Sequence, residues 1–446
     1  MKKYQYDTII IGSGVAGITA ANKLVKEGFS VALVETYEWG GATPNHGSTH
    51  KKYLLAAAET QQFVKSQQAT AFDHPVDINW QKLMAYKNAQ LKNASEAIYT
   101  SLEENDIQLI NGGAEFKDAH TVTVNGTNYT AETIVIASGA RPRILDIEGK
   151  EHIKYSSQFL NAETMPKDIV LIGAGIISFA FMSIASAAGS NVQVIQHNND
   201  ALRVFDQDFV SKLIDYMEQD HVSFHFDNTV QSIEKSGDKF IVTTDKGKVI
   251  TTDAVYSVAG RIPNTEDLAL NSADVQFGKQ GIDVNGYLQT NQENIYAIGD
   301  CNNAEVPKLS SYAVYQGNYV ADLLLKNTLK PISYPIPSMS VYSNPKIAQT
   351  GYLINDAIKE PELYDIEEID MSSWLNYHRF NEPIASTKLV IRKADNLVVG
   401  ASSISNDADI LINYFTLLLR TKVTKNDMQD ILFAYPTIAS DLSKLI

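Results

Sequence analysis

Thr8-Ile-Ile-Ile-Gly-Ser-Gly-Val-Ala-Gly17, with Ser30-Val-Ala-Leu-Val-Glu35 shortly after it, decides the fold. An uninterrupted apolar run entering a glycine turn is a buried strand that hands over to a helix. Gly12 permits the tight turn, Gly14 lets a pyrophosphate approach the backbone, and Gly17 lets helix and strand pack closely. The helix N-terminus supplies unpaired N–H groups and partial positive charge for phosphates. Glu35 closes the next strand 23 positions after Gly12, where a carboxylate can accept both ribose hydroxyls. A helix is expected from this turn to about Gly28, with further helices over 51–68 and 80–104. The second of these carries Leu91, Ala94, Ile98 and Leu102 at helical spacing. Residues 107–137 alternate like short strands, with a hairpin at Asn125-Gly126, and end in Thr133-Ile-Val-Ile-Ala137.

The same pattern returns at Asp168: a strand over Ile169–Ile172, the turn Gly173-Ala-Gly175-Ile-Ile-Ser178, and a strand over Asn191–Ile195. Ser178 takes the third glycine position, and the strand ends in Gln196-His197 instead of an acid. Without a carboxylate, exclusion of a 2′-phosphate weakens, and Arg203 with His197 can favour one. Alternatively the module keeps its fold and has lost tight dinucleotide binding. The expected fold class is α/β, with two Rossmann-like dinucleotide-binding domains and a C-terminal α+β domain. After about 331 the prolines 331, 335, 337 and 345 cluster. A strand-like segment over 387–400 and an apolar-striped helix near 408–420 follow.

Composition narrows the function. The 446 residues suggest about three domains. With 37 Lys+Arg against 52 Asp+Glu, the net charge of −15 argues against nucleic acid or an anionic membrane as partner. The stretch from Ile169 to Asn199 lacks formal charge but holds three glycines and several amides, so no membrane helix is expected. The lysine-led N-terminus is broken by Asp7 and by glycines, unlike a secretory signal, and the cytoplasm is the expected compartment. Cys301 is the only cysteine, which excludes any disulfide within the chain and any Cys-rich zinc site; no metal is expected.

The chain resembles the pyridine nucleotide–disulfide oxidoreductases, the group holding glutathione reductase, dihydrolipoamide dehydrogenase and mercuric reductase. The resemblance runs from the first fingerprint through Ile136-Ala-Ser-Gly-Ala-Arg-Pro142, Ala259-Gly-Arg-Ile-Pro-Asn-Thr265 and Ile295-Tyr-Ala-Ile-Gly-Asp300 to Ile336-Pro-Ser-Met-Ser-Val-Tyr342. It implies FAD bound by 1–145 and 266–330, NADH or NADPH bound by 146–265, and a homodimer built on 331–446. It further implies FAD contacts at Gly41, Ser138, Gly139 and Gly260. Asp300 is expected on the ribityl chain or a phosphate, Ala114 at the adenine and Ala313 near the flavin ring.

The departures carry the mechanism. After Gly40-Gly41 the family has two cysteines five positions apart and then a lysine. Here Thr43 and Ser48 stand at the cysteine positions, and Lys52 keeps the lysine expected beside flavin N5. A thiolate attacks a disulfide and pairs with flavin; a hydroxyl, which ionises far above neutrality, does neither. Disulfide reduction by the family's mechanism is therefore excluded. Near the C-terminus the family's His-Pro-Thr-x-x-Glu reads Tyr435-Pro436-Thr437-Ile438-Ala439-Ser440, and the glutamate that pairs with the lysine is Ala180. An uncompensated Lys52 favours an anionic reduced flavin. One expectation follows: an FAD oxidoreductase passing electrons from NAD(P)H directly to a small-molecule acceptor such as a quinone, activated alkene, metal ion or dioxygen. Tyr435 is then a proton donor or a space-filler, with His46, His50, Thr43 and Ser48 lining the pocket. The other reading is a catalytically degenerate FAD-binding homodimer that binds or senses.

Overall fold

Ile9, Ile10 and Ile11 are apolar on both faces because β1 (Tyr6–Ile11) lies between two parallel neighbours inside its sheet, fully covered. The computed structural model describes residues 3–68 and 70–446, the side chain of Lys425 excepted. It divides into two compact units. The first joins Met1–Lys51, Tyr86–Arg143 and Gly260–Tyr334; the second joins Lys52–Ala85, Ile144–Ala259 and Pro335–Ile446.

In the first unit, β1 leads into α1 (Val15–Lys26) and then β2 (Val31–Glu35). The sheet adds β3 (Gln108–Asn111), β4 (Ala114–Asp118), β5 (Thr121–Val124) and β6 (Thr127–Ile136) in the order β3-β2-β1-β6-β5-β4. Strand Ile295–Ala297 pairs in parallel with β6. Ile9 faces Ala32 on one side and Ile134 on the other. Asn125 and Gly126 turn the β5–β6 hairpin with φ of 51° and 80°, the double positive that a two-residue turn of this hand requires.

Between β2 and β3 run α2 (Ala42–His46), α3 (Ser48–Gln67), α4 (Trp80–Leu91) and α5 (Ala94–Glu104). The single helix expected over 80–104 is thus two, broken at Lys92-Asn93, with Asn93 as the cap of the second. Asparagine is a poor residue for a helix interior, though Asn93 makes no side-chain capping bond here.

The second unit repeats the parallel arrangement. Strands Val222–His225, Asn191–Ile195, Asp168–Ile172, Ala254–Ser257 and Ile153–Lys154 lie in that order, all parallel. Helix Ile176–Ala187 follows the second glycine turn, and its residues Ser178–Ala185 are all buried. The C-terminal part is a five-stranded antiparallel sheet under helix Ala408–Thr421. That helix divides its apolar residues. Leu411, Ile412 and Phe415 are buried, while Ile410, Tyr414 and Leu417 face outward, Leu417 at 61% exposure. Among the described residues no helix is long and apolar enough to cross a membrane.

Candidate dinucleotide and electron-transfer site

The two glycine turns are built alike. Gly12 has φ of 107°, and a Cβ there would lie 2.3 Å from the Ala137 carbonyl oxygen; one on Gly17 would lie 2.0 Å from that of Gly12. Both glycines are demanded by the chain's own packing. Gly14 is different: its φ of −66° suits any residue, and a Cβ would meet no protein atom within 4 Å. The space over it, at the start of α1, suits a pyrophosphate, and Gly14 caps α1 with no side-chain bond. The residues present therefore fit the pyrophosphate of a dinucleotide such as FAD.

Ser13 ties this turn to its surroundings. Its N–H and Oγ–H both donate to Glu35 Oε2, at 2.9 and 2.6 Å, and its Oγ accepts the Gly40 N–H at 3.0 Å. Glu35 Oε1 accepts the N–H groups of Thr36 and Tyr37. The carboxylate is thus fixed at the end of β2. Gly41, at φ of 65°, comes so close to Gly14 that a Cβ would stand 2.8 Å from its Cα. The loop that opens α2 is therefore pinned against the same turn.

Thr43 lies in α2 and Ser48 opens α3; Gly47 separates them, since a Cβ there would press to 2.7 Å on the Ala42 carbonyl. Asn45 donates to the carbonyls of Trp39 and Gly41, and His46 Nε2 lies against the Glu38 carboxylate. His50 is turned inward, with Nδ1 3.4 Å from Nζ of Lys87 on α4. Burial lowers the His50 pKa, Lys87 lowers it further, and a backbone hydrogen bond at Pro44 opposes both. Lys87 is wholly buried, and that burial brings its ammonium down to about 8. Nothing in the periodicity of 80–104 marked this lysine.

Lys52, one turn after Ser48, places Nζ 3.1 Å from the ring centroid of Tyr342. Burial lowers its pKa, partly offset by Glu59 and Asp409. Ala180 is buried within helix Ile176–Ala187. Ser138 and Asn264 bond reciprocally, Oγ to carbonyl at 2.7 Å and Nδ2 to carbonyl at 2.8 Å. Beside them Gly139 and Gly260 have positive φ and open space around a Cβ position. Arg141 makes a forked pair with Glu266, whose carboxyl it brings down to about 2. Ala114 begins β4 and is buried. Asp300 sits in the turn Gly299–Cys301, with Ala313 buried in helix Ser310–Leu324. Cys301 is fully buried, its thiol donating to the Ile298 carbonyl at 3.2 Å, and burial raises its pKa.

In the second module Gly173 has φ of 107° and Gly175 again has nothing within 4 Å of a Cβ. Ser178 fills the third glycine place, buried, with its Oγ unbonded among the described residues. Gln196 Oε1 accepts the Ala174 N–H at 3.0 Å, repeating the bond from Ser13 N–H to Glu35. Its Nε2 donates to the Asp200 carbonyl and to Asn198, so the amide braces its own loop. His197 is exposed, and exposed Arg203 lies 4.0 Å from Asp200. Tyr435 is 71% exposed, whereas Asp441 is buried and accepts from Asn376 at 2.8 Å.

Residues 6–317 match the family model for pyridine nucleotide-disulphide oxidoreductases, and residues 336–446 match the dimerisation domain of the same family. The chain is 28% identical to a glutathione reductase of Burkholderia cepacia, over 100% of this chain and 99% of that protein. It is 29% identical to a mercuric reductase of Staphylococcus aureus, over 98% of this chain and 81% of that one. The solved structure of the HOCl-induced flavoprotein disulfide reductase RclA from Escherichia coli superposes with a TM-score of 0.89 at 22% identity, covering 98% and 99% of the two chains.

Proposed function

The chain belongs to the pyridine nucleotide-disulphide oxidoreductase family, and on that footing we propose that it carries electrons from NADH or NADPH through FAD to an acceptor that is not a disulfide. One observation carries this reading. By the resemblance Thr43 in α2 and Ser48 in α3 take the places of the family's thiols, and the sole cysteine of the sequence, Cys301, is buried against the carbonyl of Ile298. FAD, when bound, takes a hydride and releases its electrons to the acceptor. The chain's own residues do the rest. The Gly12–Gly17 turn and Glu35 hold the adenine half, the Gly173–Ser178 turn orients the coenzyme, and Lys52 contributes positive charge at the flavin. Quinones, activated alkenes, metal ions and dioxygen are the acceptor classes that need no thiol. Anaerobic mixing with NADH or NADPH should bleach the visible flavin band within seconds; an unchanged band with both coenzymes would overturn the proposal.

The degenerate reading draws support from the second glycine turn, whose following strand leads into the amide of Gln196 where the first has the carboxylate of Glu35. It expects FAD to remain oxidised in that experiment.

For a carbon acceptor we assign Tyr435 as proton donor, since a phenol suits donation better than base work at neutral pH. Tyr435→Phe should slow alkene reduction about a hundredfold while leaving flavin reduction by coenzyme unchanged. Equal loss in both half-reactions refutes the role.

The homodimer is supported by the outward row Ile410, Tyr414 and Leu417 on the helix of the dimerisation domain. Leu417→Asp should weaken self-association by at least about tenfold. Sedimentation at micromolar concentration reads the change; an undisturbed dimer would take this helix out of the interface.

A further inference from the structure

The turn that carries Asp300 is held by a buried amide network. Gln316, in helix Ser310–Leu324, is 2% exposed and bonds through both ends of its amide. Oε1 accepts the Gly299 N–H at 2.6 Å and the Asn302 Nδ2–H at 2.9 Å, and Nε2 donates to Tyr334 Oη at 2.9 Å. Asn302 is fully buried. Its Nδ2 also donates to the Ala297 carbonyl, its Oδ1 accepts the Ala304 N–H, and its carbonyl accepts from Lys308 Nζ at 2.7 Å. The backbone adds two fixed points. Ile298 N–H donates to the Ile136 carbonyl at the end of β6. Gly299 has φ of 75°, and a Cβ there would stand 3.3 Å from Cβ of Ala16 in α1. Gly317 lets the two helices close, since a Cβ on it would fall 2.5 Å from the Ala16 carbonyl oxygen.

Every polar group flanking Asp300 in this network has a partner, while among the described residues no hydrogen bond engages the Asp300 carboxylate. A turn fixed this firmly, whose carboxylate feels the charges of Arg261 and Lys308 yet makes no hydrogen bond among the described residues, is prepared for a hydrogen-bonding ligand from outside the chain. We propose that Gln316 is a positioning residue for FAD: it fixes the turn that presents Asp300, and Tyr334 fixes Gln316. The inference rests on reading Gly299-Asp300 as part of the FAD site.

The test uses full-length protein stripped of FAD and titrated with FAD, with binding followed by flavin fluorescence and thermal midpoints recorded with and without FAD. Gln316→Leu should raise the FAD dissociation constant by about tenfold or more, because two buried donors lose their acceptor. The rise in midpoint on adding FAD should shrink in step. A residue that merely supports the fold would lower both midpoints together and leave the FAD-induced rise intact. Tyr334→Phe, the milder change, should raise the dissociation constant about threefold and covers the case in which Gln316→Leu does not fold. Wild-type protein that fails to bind FAD removes the reading beneath the inference and the inference with it. Wild type binding FAD, with both variants within twofold of it, removes the inference alone.

Discussion

Gly14→Val should fold and bind FAD at least about a hundredfold more weakly, whereas Gly17→Ala should lose about 3 kcal/mol or more of stability. The two glycines lie one helical turn apart, but their surroundings differ in kind. A Cβ on Gly17 would stand 2.0 Å from the Gly12 carbonyl oxygen, inside any van der Waals contact and against backbone that cannot swing away. A Cβ on Gly14 meets nothing, and φ of −66° costs an L-residue no strain. Nothing in the folded chain needs glycine at 14, so the residue answers to what the chain binds. Thermal unfolding of FAD-free protein separates the two variants: the Gly14→Val midpoint should match wild type and that of Gly17→Ala should fall. Flavin fluorescence then reads the affinity of Gly14→Val. Equal affinity to wild type would dissociate this turn from FAD.

Wild-type stability should rise as pH climbs from about 8 to about 10.5, and Lys87→Met should abolish that rise. Burial depresses the folded-state pKa of Lys87 from 10.5 to about 8. Below pH 8 both folded and unfolded chains carry the proton, so Lys87 adds no pH dependence to stability there. Between about 8 and 10.5 the unfolded chain binds the proton and the folded chain does not, so wild-type stability climbs with pH. The methionine variant has no such climb. Denaturant unfolding at pH 7, 9 and 10.5 checks this; a constant difference across the series would contradict it. His50 acts in the same sense at lower pH. Its depressed pKa makes wild-type stability fall as pH drops through the ordinary histidine range. The fold thus tolerates a cation beside the start of α3, where the sequence also places His46, Lys51 and Lys52.

The glycine turns and parallel strands were legible because each glycine and each doubly apolar strand answers to a local constraint. The repeat extends to single bonds, as Ser13–Glu35 and Ala174–Gln196 show. The Asn125-Gly126 hairpin was legible for the same local reason. Lys87 was not, since its burial depends on contact with α3, far away in sequence. Gln316 looks like any polar residue on a helix until the turn at Gly299 is folded against it. On Ala408–Thr421 the apolar residues divide, 411 and 415 inward and 410, 414 and 417 outward, a division that apolar spacing alone leaves open. The identity of Thr43 and Ser48 needed no structure; the pinning of their loop to Gly14 through Gly41 did.

Double-mixing stopped flow separates a disulfide from the other acceptors. The enzyme is first reduced anaerobically with one equivalent of coenzyme, then mixed with a quinone, an enone, or a small disulfide such as glutathione disulfide or lipoamide. Return of the flavin band with the quinone or the enone, and none with either disulfide, is the predicted result. Reoxidation by a disulfide at a rate comparable to the quinone would contradict the account.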